Sequence, residues 1–244
     1  MHKKIHIGTS GWNYDHWKEV FYEKSCPKSQ WLKFYATYFN SVEINATFYR
    51  SMSHKTYKTW REKTPKEFIW SVKANRYITH IKRLKDIAEP LKRFFDELSG
   101  LKEKLGAILF QLPPTLTFEK EVFEAFCNLI PRDKCVAIEA RHPSWLEETA
   151  LSSLKKHHIA WCISDTAGRY PYLESITCNF IYIRLHGSQK LYVSEYSENE
   201  IKTWAEKIKT WDMDTYVYFD NDAMGHATKN ALRLKELLIS ENPR

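Results

Sequence analysis

Eight short apolar stretches recur along the 244-residue chain, with segments of helical spacing between them. The strand-like stretches are 4–8, 41–45, 68–74, 105–112, 135–140, 159–164, 180–186 and 216–221. Helical spacing marks 27–39, 53–63, 84–104, 118–130, 143–157 and 198–211, and 227–239 follows the last strand. Residues 166–177, with Gly168 and Pro171, read as loop instead. Strand alternating with helix predicts a parallel sheet covered by helices. Eight such repeats at this length predict an α/β fold, a single (β/α)8 TIM barrel over residues 1–244, with some helices irregular or missing. An open doubly wound sheet is the competing architecture. It usually carries a Gly-rich dinucleotide turn, and Gly8-Thr9-Ser10-Gly11-Trp12 lacks that spacing.

Strand parity supports closure. Val42 and Ile44, Val136 and Ile138, Ile181, Ile183 and Leu185, and Val217 and Phe219 share one face suited to packing under helices. The opposite parity carries Ser10, Glu43, Asn45, Ser71, Lys73, Asn75, Gln111, Glu139, Arg141, Arg184, His186, Asp220 and Asp222. In a barrel these side chains converge at the C-terminal mouth, where active sites of this fold are built. Asp165 ends the sixth strand with ambiguous parity, since both Trp161-Ile163-Asp165 and Ala160-Cys162-Ser164 could face inward.

Hydrophobic content of 43% is ample for a large core, and no run is apolar enough to span a bilayer. The N-terminal residues enter a strand with no room for a signal peptide. Five cysteines, odd in number and without a Cys-x-x-Cys pair, read as reduced, buried thiols, so a cytoplasmic location without membrane attachment is expected. The net charge of +7 invites a nucleic-acid partner. Much of that excess, including Lys82-Arg83, Lys92-Arg93 and Lys155-Lys156, falls on helical segments, where a solvated face explains it as well.

The motifs themselves resemble a known family. Gly8-Thr9-Ser10-Gly11-Trp12, Val42-Glu43-Ile44-Asn45 with Thr47-Phe48-Tyr49-Arg50, and Thr79-His80 are similar to its pattern. Gln111-Leu112-Pro113-Pro114, Glu139 and Arg141 with Ser144-Trp145, Arg184-Leu185-His186-Gly187 and Tyr216-Val217-Tyr218-Phe219 with Asn221-Asp222 continue the match. The family is the domain-of-unknown-function family 72, also called YecE-like, and the resemblance covers nearly the whole chain. It implies a TIM-barrel-type fold and a soluble bacterial or archaeal-type protein, and no settled activity. Asp220 departs from the asparagine expected there, which adds a carboxylate to the mouth.

Carboxylates interleaved with cations can keep one carboxylate ionised as a base, raise another as an acid, and leave a fork for an anion. Glu139 and Asp165 are expected to move protons, with His186 as a further acid–base group and Glu43 beside them. Lys73 and Arg141 are expected to contact a small anionic or sugar-like ligand. Ser10, Trp12, Asn45, Tyr49, Arg50, His80, Gln111, Arg184, Asp220, Asn221 and Asp222 complete the candidate substrate surface. Ion pairs Glu43–Lys73 and Glu139–Arg141 that merely tie neighbouring strands are the plainer reading of the same residues. Glu43, Glu139, Asp165, His186 and Asp220 would also admit a divalent metal for phosphoester hydrolysis, as in barrel endonucleases, although no His-Glu-x-x-His motif is present. Aromatics after the strands, among them Tyr14, Tyr170 and Tyr192, suit stacking of bases or sugars or simple burial at the rim. The reaction class stays open between hydrolysis and isomerase- or lyase-type chemistry, and non-catalytic binding of a nucleic acid or nucleotide is the rival reading.

Overall fold

The computed structural model describes residues 3–239; residues 1–2 and 240–244, the ends of the expected 1–244 domain, lie outside the described residues. The strands are β1 (Ile5–Thr9), β2 (Ser41–Ile44), β3 (Ile69–Lys73), β4 (Leu105–Gln111), β5 (Val136–Glu139), β6 (Ala160–Asp165), β7 (Phe180–Leu185) and β8 (Asp214–Phe219). Each pairs in parallel with its sequence neighbour from β2 through β8, and β8 pairs with β1. The helices are α1 (Trp31–Tyr38), α2 (Ala46–Tyr49), α3 (His54–Glu62), α4 (Ala88–Leu98), α5 (Lys120–Asn128), α6 (Glu148–Lys156), α7 (Glu198–Trp211) and α8 (His226–Ile239). The expected barrel is therefore formed, and the β6–β7 connection runs without a helix.

The ring closes at the β1–β2 seam by an uncommon route. Backbone pairing there is a single bridge, Ser10 to Glu43. Side chains supply the rest. Asn40 accepts from the Ile7 N–H at 2.9 Å and donates to the Ile5 carbonyl at 2.8 Å. The Tyr35 hydroxyl accepts from the Thr9 N–H at 2.9 Å and donates to the Ser41 carbonyl at 3.1 Å. Both use the seam's backbone groups, which would otherwise be left unpaired. Gly8 must be a glycine here, because a Cβ would lie 2.0 Å from the Ser41 oxygen.

Parity divides the interior into two cores. The outward aliphatic face (Val42, Ile44, Ile138, Ile183 and Val217) packs under the helices. A separate axial cluster (Ala107, Leu109, Ala137, Cys162, Tyr182 and Tyr218) fills the barrel itself. Small residues on β4–β6 leave room for the two tyrosines opposite, so the axis is a packed floor and not a pore. Tyr218 anchors that floor through Ser41 at 2.6 Å and Ser71 at 2.8 Å.

Several helical segments break where the sequence reads as continuous. Residues 84–104 form α4 followed by a tight turn, Ser99–Lys104, kinked at Lys102 with φ +48°. The kink lets the buried Lys104 reach the end of α3, where its Nζ donates to the Arg61 carbonyl at 2.6 Å and the Thr64 carbonyl at 2.7 Å. Residues 143–157 split into a turn, Pro143–Leu146, and α6, because Glu147 is extended. The cysteines are free as expected, with Cys127 and Cys162 buried and Cys26 and Cys178 half-buried. Cys135 is exposed, contrary to expectation: it precedes β5, below the register that buries its neighbours. Among the described residues no helix is long and apolar enough to cross a membrane.

Candidate functional site

At the C-terminal ends of the strands, Arg184 stands at the centre of a ring of acids. It leaves β7 on the inward parity, two residues beyond Tyr182, and is fully buried. Its Nη2 donates to Glu43 Oε1 of β2 at 2.8 Å, and its Nε to Glu43 Oε2 at 3.1 Å. Nη1 donates to Glu139 Oε2 of β5 at 2.7 Å, and Nη2 reaches Asp220 Oδ2, just past β8, at 3.1 Å. One guanidinium thus joins three strands that are not mutual neighbours. Its planar fork of donors allows this where a lysine could not.

Each acid has further partners. Glu43 accepts from Ser10 Oγ at 2.7 Å and from the Tyr182 hydroxyl at 2.7 Å. Glu139 Oε1 pairs with Arg141 Nη2 at 3.0 Å, and Arg141 lies over the Tyr170 ring, 4.4 Å from its centroid. Burial works against charge on Glu139, but Arg184, Arg141 and His186 outweigh it and hold its pKa well below the ordinary carboxylate range. Asp220 is lowered too, with Arg184 and then His186 overcoming its burial.

His186 lies 3.2 Å from Arg184 Nη1 through Nε2 and 2.9 Å from Asp220 Oδ2 through Nδ1. Nδ1 is within ion-pair distance of the Asp220 carboxylate but is buried without a hydrogen-bond partner. The turn that follows requires glycine: Gly187 has φ +110°, and a Cβ there would meet the Lys190 oxygen at 2.7 Å.

Lys73 ends β3 in the same cluster but bonds to none of these acids. Its Nζ sits 4.3 Å from the centroid of the Phe48 ring, and no hydrogen bond or ion pair reaches it among the described residues. Burial first, then the nearby Arg184 charge, lower its pKa to about 8. His80, whose ring meets Phe48 edge-on at 4.9 Å, is lowered to about 4 by burial and by Lys73. Of the two strand-tying pairs considered from sequence, Glu139–Arg141 forms, whereas Glu43 is bonded to Arg184 and not to Lys73.

The structure thus gathers Ser10, Glu43, Lys73, Glu139, Arg141, Arg184, His186 and Asp220 in one largely buried cluster at the C-terminal ends of the strands. Gln111 is buried beside Glu139, its register partner. Asn45 donates to the Ser10 carbonyl at 3.4 Å, and its Oδ1 is buried without a partner. Other candidates stand apart. Asp165 takes the outward parity of β6, accepts from the Tyr196 hydroxyl at 2.9 Å, and is raised by burial. Trp12 packs edge-on against Trp60 and Trp70 on the aliphatic side of β3. Tyr49 and Arg50 are exposed on the rim. Asn221 is buried and donates to Ser194 and Asn230, tying loop to helix. Asp222 accepts from the Trp17 indole at 2.5 Å and faces His16 at 2.9 Å, with burial raising its pKa to about 6.

Tyr182 was not singled out from sequence, yet it bonds Glu43, and Phe48, one of the aromatics expected at this end, lies under Lys73. Alternation from Arg184 points to Tyr182; Phe48 is brought to Lys73 by the turn of α2. Among the described residues no group of three or more His, Cys, Asp or Glu side chains is placed to hold a metal ion. Glu43, Glu139 and Asp220 are instead directed at the Arg184 guanidinium.

Comparison with known proteins agrees with the motif resemblance. The UPF0759 protein YunF of Bacillus subtilis is 26% identical over 272 residues, spanning 97% of this chain and 95% of that protein. The UPF0759 protein YecE of Escherichia coli is 25% identical over 240 residues, spanning 88% and 84%. A solved DUF72 family protein of Thermotoga maritima matches the fold with a TM-score of 0.88 at 31% identity, over 96% of this chain and 99% of that one. The profile of the family described as "Protein of unknown function DUF72" spans residues 6–244, and the chain belongs to that family.

Proposed function

We propose that the protein is an enzyme that binds a small anionic substrate, a phosphorylated or carboxylated sugar-like compound, at the C-terminal mouth and works on it by general acid–base catalysis. The observation that carries this reading is a buried cation left without a direct partner. The carboxylates of Glu43, Glu139 and Asp220 are bonded to Arg184, and Glu139 also to Arg141, while Lys73 makes no ion pair among the described residues and feels those carboxylates only at longer range. A purely structural cluster would be expected to pair every buried charge, because an unpaired one is costly. Lys73, which has no bonded partner among the described residues, is the cation left to meet a ligand, with Arg141 beside Glu139 as a second. Glu139 is ionised at neutral pH and can accept a proton, though the two guanidiniums that depress its pKa also make it a weak base. His186, 2.9 Å from Asp220, suits a relay that returns a proton.

The test is a turnover screen across sugar phosphates, sugar acids and oxo acids, followed by Glu139→Gln on any substrate found. Glu139→Gln should lower kcat by roughly a hundredfold or more while the fold survives. An unchanged rate would remove Glu139 from the mechanism.

A further inference from the structure

We propose that Lys73 is a nucleophilic amine that condenses with an aldehyde or ketone carbon of the substrate, so that the anion accepted at the mouth is a carbonyl compound. The inference rests on the acid–base reading of the same cluster and names its substrate class.

The contrast between two buried lysines carries the argument. Lys104 is covered, and its Nζ is committed to the carbonyls of Arg61 and Thr64. Lys73 is covered to a similar degree, at 9% exposure, and has no acceptor among the described residues. The Phe48 ring shields one side of its Nζ; burial and then the Arg184 guanidinium disfavour its ammonium, against the opposing pull of Glu139, Glu43 and Asp220. A lysine that is desolvated and set near another cation is the arrangement that turns an ammonium into a reactive amine. Its backbone is fixed as well, since the Thr47 hydroxyl donates to the Lys73 carbonyl at 2.6 Å. With its pKa lowered to about 8, about a tenth of the amine is neutral at pH 7.

The chemistry closes without an external oxidant or reductant. The neutral Nζ adds to the carbonyl carbon, the C–N bond forms, and the nitrogen passes a proton to the former carbonyl oxygen. A second proton converts that hydroxyl into departing water, leaving an iminium on Lys73. Overall, amine, carbonyl and one proton give iminium and water. His186 and Asp220 lie in the same cluster to supply and recover the protons. An iminium withdraws electrons from the adjacent carbon, where the ionised Glu139 can then remove a proton.

The experiment is trapping with a defined probe. The full-length protein is treated with glyoxylate and borohydride at neutral pH, and the modified lysines are mapped by peptide mass spectrometry. The expected result is a carboxymethyl group on Lys73, formed about tenfold or more faster than on exposed lysines such as Lys92 and Lys120, because each unit of lowered pKa raises the neutral fraction about tenfold. Lys73→Arg should abolish that modification and leave the background on the other lysines unchanged. Modification confined to exposed lysines, with Lys73 bare in the wild-type protein, would overturn the proposal. That failure is separable from failure of the acid–base reading, which is decided by the effect of Glu139→Gln on turnover and needs no imine.

Discussion

Arg184 donates to Glu139 at 2.7 Å from β7 to β5, passing over β6, and both side chains are almost wholly excluded from solvent. The contact joins strands that share no backbone pairing. Replacing Arg184 with Met would leave Glu43, Glu139 and Asp220 facing one another without their common cation. Loss of one partner from a buried ion pair costs about 3–5 kcal/mol, and Arg184→Met should destabilise the protein by at least that much at neutral pH in urea unfolding. A change below about 1 kcal/mol would place the acids in a far more solvated setting than the structure gives them.

Acid should weaken the fold for the same reason. Glu139 and Asp220 have folded-state pKa values depressed by Arg184 despite burial. Their contribution is complete above the unfolded carboxylate pKa near 4 and is lost as pH falls through the lower folded values. In that window the unfolded chain binds more protons, so stability rises with pH. Urea midpoints taken between about pH 5 and about pH 2 should decline steeply for the wild type and less so for Glu139→Gln. Parallel slopes would contradict the assignment.

Lys73 should give a slope of the same sign in a higher pH window. Its folded pKa of about 8 lies below that of a free lysine, so the unfolded chain binds more protons at pH values between the two, and stability climbs as pH rises through that interval. Lys73→Met should stabilise the protein at pH 7 by about 1–2 kcal/mol, as expected when an unpaired buried charge is replaced by an isosteric apolar chain. A loss of stability on that substitution would mean that the amine has a structural partner.

Asp165 provides a contrast. It is bonded to Tyr196 outside the ring, and Tyr196 also accepts from the Gly187 N–H at 3.0 Å. Asp165→Asn preserves an acceptor for the tyrosine and should change stability by less than about 1 kcal/mol. It should also leave a Glu139-dependent turnover within a few-fold of wild type, measured in the same assay. A collapse comparable to Glu139→Gln would bring Asp165 into the mechanism.

What the sequence makes legible follows from periodicity. On β7 the outward Ile181, Ile183 and Leu185 alternate with Tyr182 and Arg184, so the inward parity is plain. On β6 both parities are apolar until Ser164 and Asp165, one polar residue on each face, and the alternation carries no instruction about Asp165. That Glu43 pairs with Arg184 and leaves Lys73 alone is equally invisible, because opposite charges in a ring admit several pairings and only side-chain length and direction choose between them. The seam is hidden for a related reason: Asn40 and Tyr35 close the barrel through contacts to backbone atoms 6 to 35 positions away. The aromatic supports of the site, Phe48 and Tyr170, are legible from their place after strands, but no period says which cation each one meets.

Crystals of the full-length protein soaked separately in inorganic phosphate and in pyruvate offer the most direct measurement. The anion is predicted between Lys73 Nζ and the Arg141 fork, above the undisturbed Arg184–Glu139 pair, with pyruvate additionally continuous with Nζ. An anion seated only among surface cations such as Arg132, Lys134 and Lys156, with the mouth holding solvent in both soaks, would contradict the assignment of the mouth as the site.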